Sequence, residues 1–296
     1  MTRGLSPLTA DVLLLLAALI WGLGFVAQRL GAQHLDPLTF TGLRFTLGAI
    51  VLLPWVLPSI SRGGFNRAHL VAGGVTGIVM AVAASFQQWG LAHTSAGNGA
   101  FITALYVVLV PLLGLLAGHR VRRVVWLAVA LALVGLWFLS ITHDFALERG
   151  DPIVLVCALG WAIHVVVVAK WSPSLNPIRY AFLQFAITGV STLALGLMFG
   201  RPTLASIDAA KWAVLFGGVF PVGVAFTLQM IAQRTAPPTH TAIILSLESV
   251  FGMLAGAIFL SEVVTERKLL GASLMFAGML LAQIRFGKPR EEPLSP

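Results

Sequence analysis

The sequence predicts an all-α membrane protein: ten transmembrane helices arranged as two inverted-topology five-helix repeats, 1–145 and 146–296. Three observations carry this. The first is composition. Of 296 residues, 58% are apolar and 10% charged, whereas soluble proteins carry about 25% charged residues. A mean hydropathy of +0.92 leaves more apolar surface than a soluble domain can hide. The second is the set of ten apolar segments, 11–29, 38–57, 68–90, 97–118, 124–142, 152–170, 179–199, 211–231, 239–260 and 269–285. Each is close to the length a helix needs to cross a hydrocarbon core of about 30 Å. Backbone groups in lipid need internal partners, and a barrel would alternate polar and apolar residues, so these segments are helices. The third is a repeat. Shifted by 140 residues, the halves align without gaps over most of their length. Ala18-Leu19-x-Trp21 meets Ala158-Leu159-x-Trp161, Pro37 meets Pro177, Phe45 meets Phe185, and Gly77 and Phe86 meet Gly217 and Phe226.

Five spans is an odd number, so the second copy enters the membrane from the opposite side. Such inverted repeats underlie many alternating-access carriers, because two like halves of opposite orientation can exchange conformations. Duplication kept for packing alone is the alternative. Ten spans place both termini on one side. Twelve Lys and Arg fall in gaps on that side and six on the other, with Arg44 inside a span. The bias predicts cytoplasmic termini in a plasma membrane, the inner membrane in a prokaryote. The excess of 19 basic over 11 acidic residues is scattered through short gaps, a loop pattern rather than a nucleic-acid face. Arg3 before an apolar run imitates a secretory signal, but the run continues to Gln28 and has a copy later, so no cleavage is expected. Cys157, the only cysteine, excludes an internal disulfide and a multi-thiolate metal site.

The spans differ in the polar groups they carry, which are costly in lipid and need a partner or a cavity. In 11–29, Trp21, Phe25 and Gln28 share a face at i, i+4, i+7. In 38–57, Arg44 either snorkels, pairs with an acidic group or recognises a carboxylate. In 68–90, Phe86-Gln87-Gln88-Trp89 holds two glutamines that project about 100° apart, so at least one faces water or substrate. The segment 97–118 carries Asn98, Thr103, Tyr106 and Pro111, and 124–142 is apolar apart from its small residues. In 152–170, Trp161 and His164 are i, i+3 neighbours. The segment 179–199 has Gln184 where its mate has Arg44. In 211–231, Pro221 stands inside the span and Gln229 shares a face with Gln233. Glu248, near the middle of 239–260, is the one acidic residue deep in a span, and its 140-residue counterpart is Val108. It can bind an ammonium group, carry a coupling proton, or serve as a structural partner, Arg44 being one choice. The prolines free the carbonyls of Val107 and Gly217, as hinges or as static kinks. They are not repeat mates. Gly73-x-x-x-Gly77, Gly114-x-x-x-Gly118 and Gly252-x-x-x-Gly256 permit close helix approach. Trp21, Gln87, Asn98, Tyr106, Trp161, His164, Gln229 and Glu248 form the candidate substrate-lining set, with Pro111 and Pro221 as candidate hinges.

A family resemblance rests on residues spread along the chain. They are Trp21, Pro37, Thr94-Ser95-Ala96-Gly97, Val110-Pro111-Leu112-Leu113, Leu245-Ser246-Leu247-Glu248, Leu260-Ser261-Glu262, Gly271 and Gly278. In order and spacing they resemble the EamA-type branch of the drug/metabolite transporter superfamily over essentially the whole chain. That resemblance implies a ten-helix bundle with a cavity between its halves. It also implies export of amino acids, metabolites or toxic amphipaths, with aromatic amino acids favoured by the tryptophan- and glutamine-rich spans. Many members have proline after the glutamate of the ninth span; here Ser249 follows Glu248, so no hinge role is carried over.

The rival readings are an intramembrane enzyme and a channel. Gly22-x-Gly24-x-x-Ala27 imitates a dinucleotide fingerprint, but it lies within a span with no strand before it. The sequence has no H-E-x-x-H motif, no paired intramembrane aspartates and no P-loop. No cofactor, metal, catalytic residue or nucleic-acid partner is expected. The expected partners are a small-molecule substrate, membrane lipid and, as a candidate coupling ion, the proton. The basic bias yields a direct prediction. Cysteine tags at both termini, in a Cys157→Ala background, resist an impermeant thiol reagent in intact cells. Labelling of both tags from outside overturns this orientation.

Overall fold

The computed structural model describes residues 5–60, 64–94, 96–116, 121–140, 149–260 and 263–283. They form helices α1 (Pro7–Gly31), α2 (Pro37–Ile60), α3 (Arg67–Ala92), α4 (Ala96–Ala104), α5 (Tyr106–Leu116), α6 (Arg123–Ser140), α7 (Asp151–Trp171), α8 (Pro177–Phe199) and α9 (Leu204–Gly217). A π-helical segment (Gly218–Phe226) follows, then α10 (Thr227–Ala232), α11 (Pro238–Leu245), α12 (Glu248–Leu260) and α13 (Glu266–Gln283). No strand occurs among the described residues. Six of the basic residues counted toward the terminal side (Arg3, Arg62, Arg120, Arg285, Lys288 and Arg290) lie outside the described residues, as does the Asn98 side chain.

Helix starts follow from local chemistry. Ser6 caps α1, its Oγ accepting from Thr9 N at 3.1 Å, with Pro7 in the first turn. Asp36 and Asn176, repeat mates, do the same for α2 and α8: their side-chain oxygens accept from Thr39 N at 3.0 Å and Arg179 N at 3.1 Å, each ahead of a proline. Among the described residues, eight stretches are long and apolar enough to cross a membrane: α1, α2, α3, α4–α5, α7, α8, α9–α10 and α11–α12. The helices at the expected fifth and tenth spans, α6 and α13, are not among these eight as far as the described residues go. The apolar part of α6 is only Arg123–Phe138, and α13 opens with three charged residues, Glu266, Arg267 and Lys268. These two helices pack along each other.

Chain direction is fixed by contacts at the helix ends. Arg29, at the end of α1, donates from Nη1 to Leu91 O at 3.0 Å, at the end of α3. Gly150 N, at the start of α7, donates to His93 O at 3.1 Å in the same region. So α1 and α3 finish where α7 begins, and α1 and α7 run in opposite directions. At the other end, Arg179 Nη1 ties the start of α8 to Gly64 O at 3.1 Å, just before α3.

Small residues set the helix spacing. In the α2–α8 crossing, a Cβ on Gly189 would stand 2.5 Å from Thr46 N, and one on Gly196 would stand 2.6 Å from Thr39 N. Backbones in lipid gain contact this way, without a hydrophobic drive between helices. Gly22 and Gly24 belong to the same class. A Cβ on Gly22 would meet Phe251 Cβ at 2.5 Å, and one on Gly24 would meet Pro221 Cγ at 3.1 Å, so α1 is held between α12 and the π-helical segment. Gly114 does not follow its motif, since nothing lies within 4 Å of a Cβ there; Gly118 lies outside the described residues.

Two helices break where the sequence predicts continuity. The fourth span is interrupted at Leu105 and the ninth at Ser246-Leu247. Pro111 interrupts nothing; α5 runs through it. Glu248 is therefore the first residue of α12 rather than the middle of one long helix. Tyr106 likewise opens the second part of a broken helix, as the first residue of α5, two residues before Val108, the 140-residue counterpart of Glu248. Ser246 Oγ donates to Ile243 O at 2.8 Å, and Ser249 Oγ donates at 2.7 Å to Ser246 O, which also accepts from Ser249 N at 3.2 Å, so side chains supplement the backbone hydrogen bonds at the break.

Neighbouring glycines on α3 give a paired prediction. A Cβ on Gly73 would stand 2.5 Å from Leu183 Cβ, while one on Gly74 would meet nothing within 4 Å. Gly73→Ala is expected to cost about 1–3 kcal/mol through overpacking, read as a melting temperature lowered by several degrees in detergent. Gly74→Ala is expected to leave it unchanged or slightly raised. Equal effects at the two positions would contradict the α3–α8 packing.

Candidate functional site

Between the helices lies a cavity with about 550 Å³ of space not filled by atoms, counting the space open to its surroundings. Its wall takes eight residues from each half of the chain. From the candidate set it holds Trp21, Gln87, Tyr106, Trp161, His164, Gln229 and Glu248, and also Pro221. Pro111 is not in the wall.

The breaks explain how several of these residues arrive. Tyr106 and Glu248 each open the second part of a broken helix, so Glu248 sits where the helix dipole favours a carboxylate. Pro221 lies inside the π-helical segment, and its carbonyl accepts from Trp21 Nε1 at 3.0 Å. Trp21 thereby braces α1 against the segment while its ring faces the cavity.

The apolar part of the wall is built around Phe226, which the candidate set omits. Its ring centroid lies 4.6 Å from Trp21, 5.5 Å from Trp161 in a stacked pair, and 5.9 Å from His164. In the sequence it is the repeat mate of Phe86. Its five-residue spacing from Pro221 is the one signal that marks it, and that signal has meaning only once the π turn is known.

The polar part is defined by atoms without partners. Gln233 Nε2 donates to Val165 O at 3.0 Å, and a carbonyl can only accept, so Gln233 Oε1 must accept from Gln229 Nε2 at 2.9 Å. This leaves Gln229 Oε1 buried and unpartnered. The same reasoning orients His164. Gln184 Nε2 donates to Met230 Sδ at 3.0 Å, so Gln184 Oε1 faces His164 Nε2 at 3.0 Å, which must carry the proton. In the neutral ring His164 Nδ1 is then an acceptor, and it too is buried without a partner. Glu248 Oε1 and Gln28 Oε1 complete a set of unpartnered acceptors. Against them stand unpartnered donors, Arg44 Nε and Nη2 and Trp161 Nε1, with the Tyr106 hydroxyl able to do either.

Arg44 does not snorkel. It is 3% exposed, its guanidinium lies 5.0 Å from the Phe45 ring centroid, and it lines the cavity. Nor does it pair with Glu248: the ion pairs found among the described residues are Lys211–Asp208 and His240–Asp11. The two adjacent glutamines divide their roles. Gln87 faces the cavity and reaches Thr103 Oγ1 at 3.4 Å, whereas Gln88 turns away to donate to Gln28 O at 3.0 Å.

Buried polar atoms are normally paired. A cavity with apolar aromatic walls and several convergent unpaired groups is the usual form of a small-molecule site. Comparison with known proteins agrees. The model of the EamA-like transporter family matches residues 8–141 and again residues 148–283. An uncharacterized transporter from Archaeoglobus fulgidus is 32% identical over 286 residues, covering 96% of this chain and 88% of its own. The uncharacterized inner membrane transporter YedA of Escherichia coli K12 is 22% identical over 292 residues, covering 94% and 92%. A crystal structure superposes with a TM-score of 0.75 over 94% of this chain and 97% of its own; at 19% identity that likeness concerns the fold alone. With the family model matching both halves and a relative aligned along nearly the full length, the chain belongs to the EamA-like transporter family.

Proposed function

We propose that this transporter is a secondary carrier that exports amino acids and related amphipathic metabolites by alternating access. On this reading the two halves, 1–145 and 146–296, are inverted five-span repeats, α6 and α13 complete the ten spans, and both termini face the cytoplasm. The observation that carries it is the cavity wall, drawn equally from both halves and holding unpartnered donors and acceptors together. A free amino acid is a zwitterion with an N–H-rich ammonium end and an oxygen-rich carboxylate end. Glu248, His164 Nδ1 and Gln229 Oε1 suit the first; Arg44 suits the second. The rings of Trp21, Trp161 and Phe226 suit an apolar or aromatic side chain.

Two further observations support the repeat. The second match of the family model begins 140 residues after the first. Both halves also contain a broken helix at the cavity, and discontinuous helices line substrate sites in many inverted-repeat carriers. Asn98 stays in the proposed substrate-lining set on sequence grounds, and Pro111 and Pro221 remain the proposed hinges.

The test is counterflow in proteoliposomes with a panel of amino acids and lipophilic cations, for the wild type and Glu248→Gln. The variant keeps the shape of the side chain and removes its charge. Because no ion pair with Glu248 is found among the described residues, the change strands no opposite charge, and its melting temperature is expected to stay close to wild type. Amino-acid counterflow is expected to fall about tenfold or more, the size of a lost charged hydrogen bond. If counterflow is unchanged, Glu248 does not bind substrate. If no amino acid exchanges in the wild type, the substrate reading is wrong.

A further inference from the structure

We propose that Asp11 and Asp151 are the two gate residues of this carrier, each latching the broken helix of the opposite half at one end of the cavity. The proposal rests on the alternating-access reading above. Asp11 and Asp151 are separated by the 140-residue repeat offset, and each lies at the start of the first helix of its half, α1 or α7. Asp11 Oδ1 contacts His240 Nε2 at 2.6 Å; His240 is the third residue of α11. Asp151 Oδ1 accepts from Thr94 Oγ1 at 2.6 Å; Thr94 stands just before α4. So a carboxylate from the first half holds the leading part of the ninth span, and its mate from the second half holds the α3–α4 connection at Thr94, two residues ahead of the leading part of the fourth.

These contacts lie at opposite ends of the molecule. Asp151 sits where α1 and α3 finish, as the Arg29–Leu91 and Gly150–His93 hydrogen bonds show. Asp11 precedes Arg29 by eighteen residues, about 27 Å along a helix. Each aspartate also precedes its own cavity tryptophan, Trp21 or Trp161, by ten residues, about 15 Å. The cavity therefore lies midway between the latches. The parts they hold are short, nine residues in α4 and eight in α11, and each ends at a break, Leu105 or Ser246-Leu247. A short segment joined through a break is suited to swing as a rigid piece. Both contacts are made in this structure, and on this proposal an end opens when its own latch parts. The Asp11–His240 latch is partly exposed, with side chains at 16% and 20%, whereas Asp151 and Thr94 are buried.

The chain supplies its own reporters. Cys157, its only cysteine, is buried on α7 between Asp151 and Trp161. Its repeat mate Ala17, also buried, lies between Asp11 and Trp21 on α1. The experiment measures the rate of N-ethylmaleimide labelling of the full chain in lipid nanodiscs, on Cys157 and separately on Ala17→Cys in a Cys157→Ala background. Thr94→Val is expected to speed labelling of Cys157 about tenfold and leave the Ala17→Cys site within about twofold, because loss of a charged hydrogen bond shifts a two-state equilibrium by roughly that factor. His240→Phe is expected to do the reverse. Asp151 has other interactions as well, so Thr94→Val loosens that latch without removing the helix start. His240→Gln serves as a second variant if the phenylalanine change lowers the melting temperature.

Unchanged labelling in both variants sinks the proposal. So does acceleration of both reporters by either variant, which would mean general loosening. Labelling needs no substrate, so the outcomes separate cleanly from the carrier reading. Gates that respond as stated in a protein with no amino-acid counterflow would refute the substrate reading alone. Normal counterflow with unmoved reporters would refute the latches alone.

Discussion

A backbone that leaves its helical ladder inside a bilayer must find new partners, and this requirement organises the molecule. Every regular span satisfies its own N–H and C=O groups. Apart from single prolines inside helices, the described residues leave the α-helical pattern within a span at Leu105, at Ser246-Leu247 and along Gly218–Phe226, and side chains that define the cavity stand at all of these places. Tyr106 and Glu248 follow the first two, and Phe226 ends the third. Ser246, Ser249 and Trp21 supply hydrogen bonds that make the irregular backbone tolerable. Trp21 thus bears two loads, as wall and as donor to the Pro221 carbonyl.

Close packing is the second half of the same solution. Irregular backbone can be sheltered only if the surrounding helices come near enough to exclude lipid. Gly22 and Gly24 let α1 lie against α12 and the π-helical segment, while Gly42, Gly189 and Gly196 let α2 and α8 cross closely. The glycines far from the chemistry and the aromatic residues beside it are parts of one arrangement.

Much of this was legible in the sequence, and the limits have physical causes. Composition and span length give the class, because burial in lipid constrains every residue of a crossing helix. Seven of the eight candidate lining residues face one cavity, because a polar or indole group in a span must go somewhere it can be tolerated. The breaks were illegible. Apolar periodicity runs straight through Leu105 and Leu247, and the prolines drew attention to Pro111, where α5 continues unbroken. Phe226 was missed because an aromatic residue in an apolar span looks like packing. The Asp11–Asp151 correspondence lies within the 140-residue repeat, but neither residue lies deep in a span, so neither stands out as an intramembrane charge.

The chain of amides from the Val165 carbonyl through Gln233 to Gln229 has a consequence beyond this cavity. Gln233 is outside the wall, yet it dictates which end of Gln229 the cavity meets. A substitution that replaced Gln233 by a donor-only side chain would turn Gln229 around and present an N–H where an oxygen now stands. The chemical preference of the wall is therefore written partly in a residue no ligand touches. Two relatives with identical linings can differ in hydrogen-bond sense, and a comparison of linings alone would call them the same.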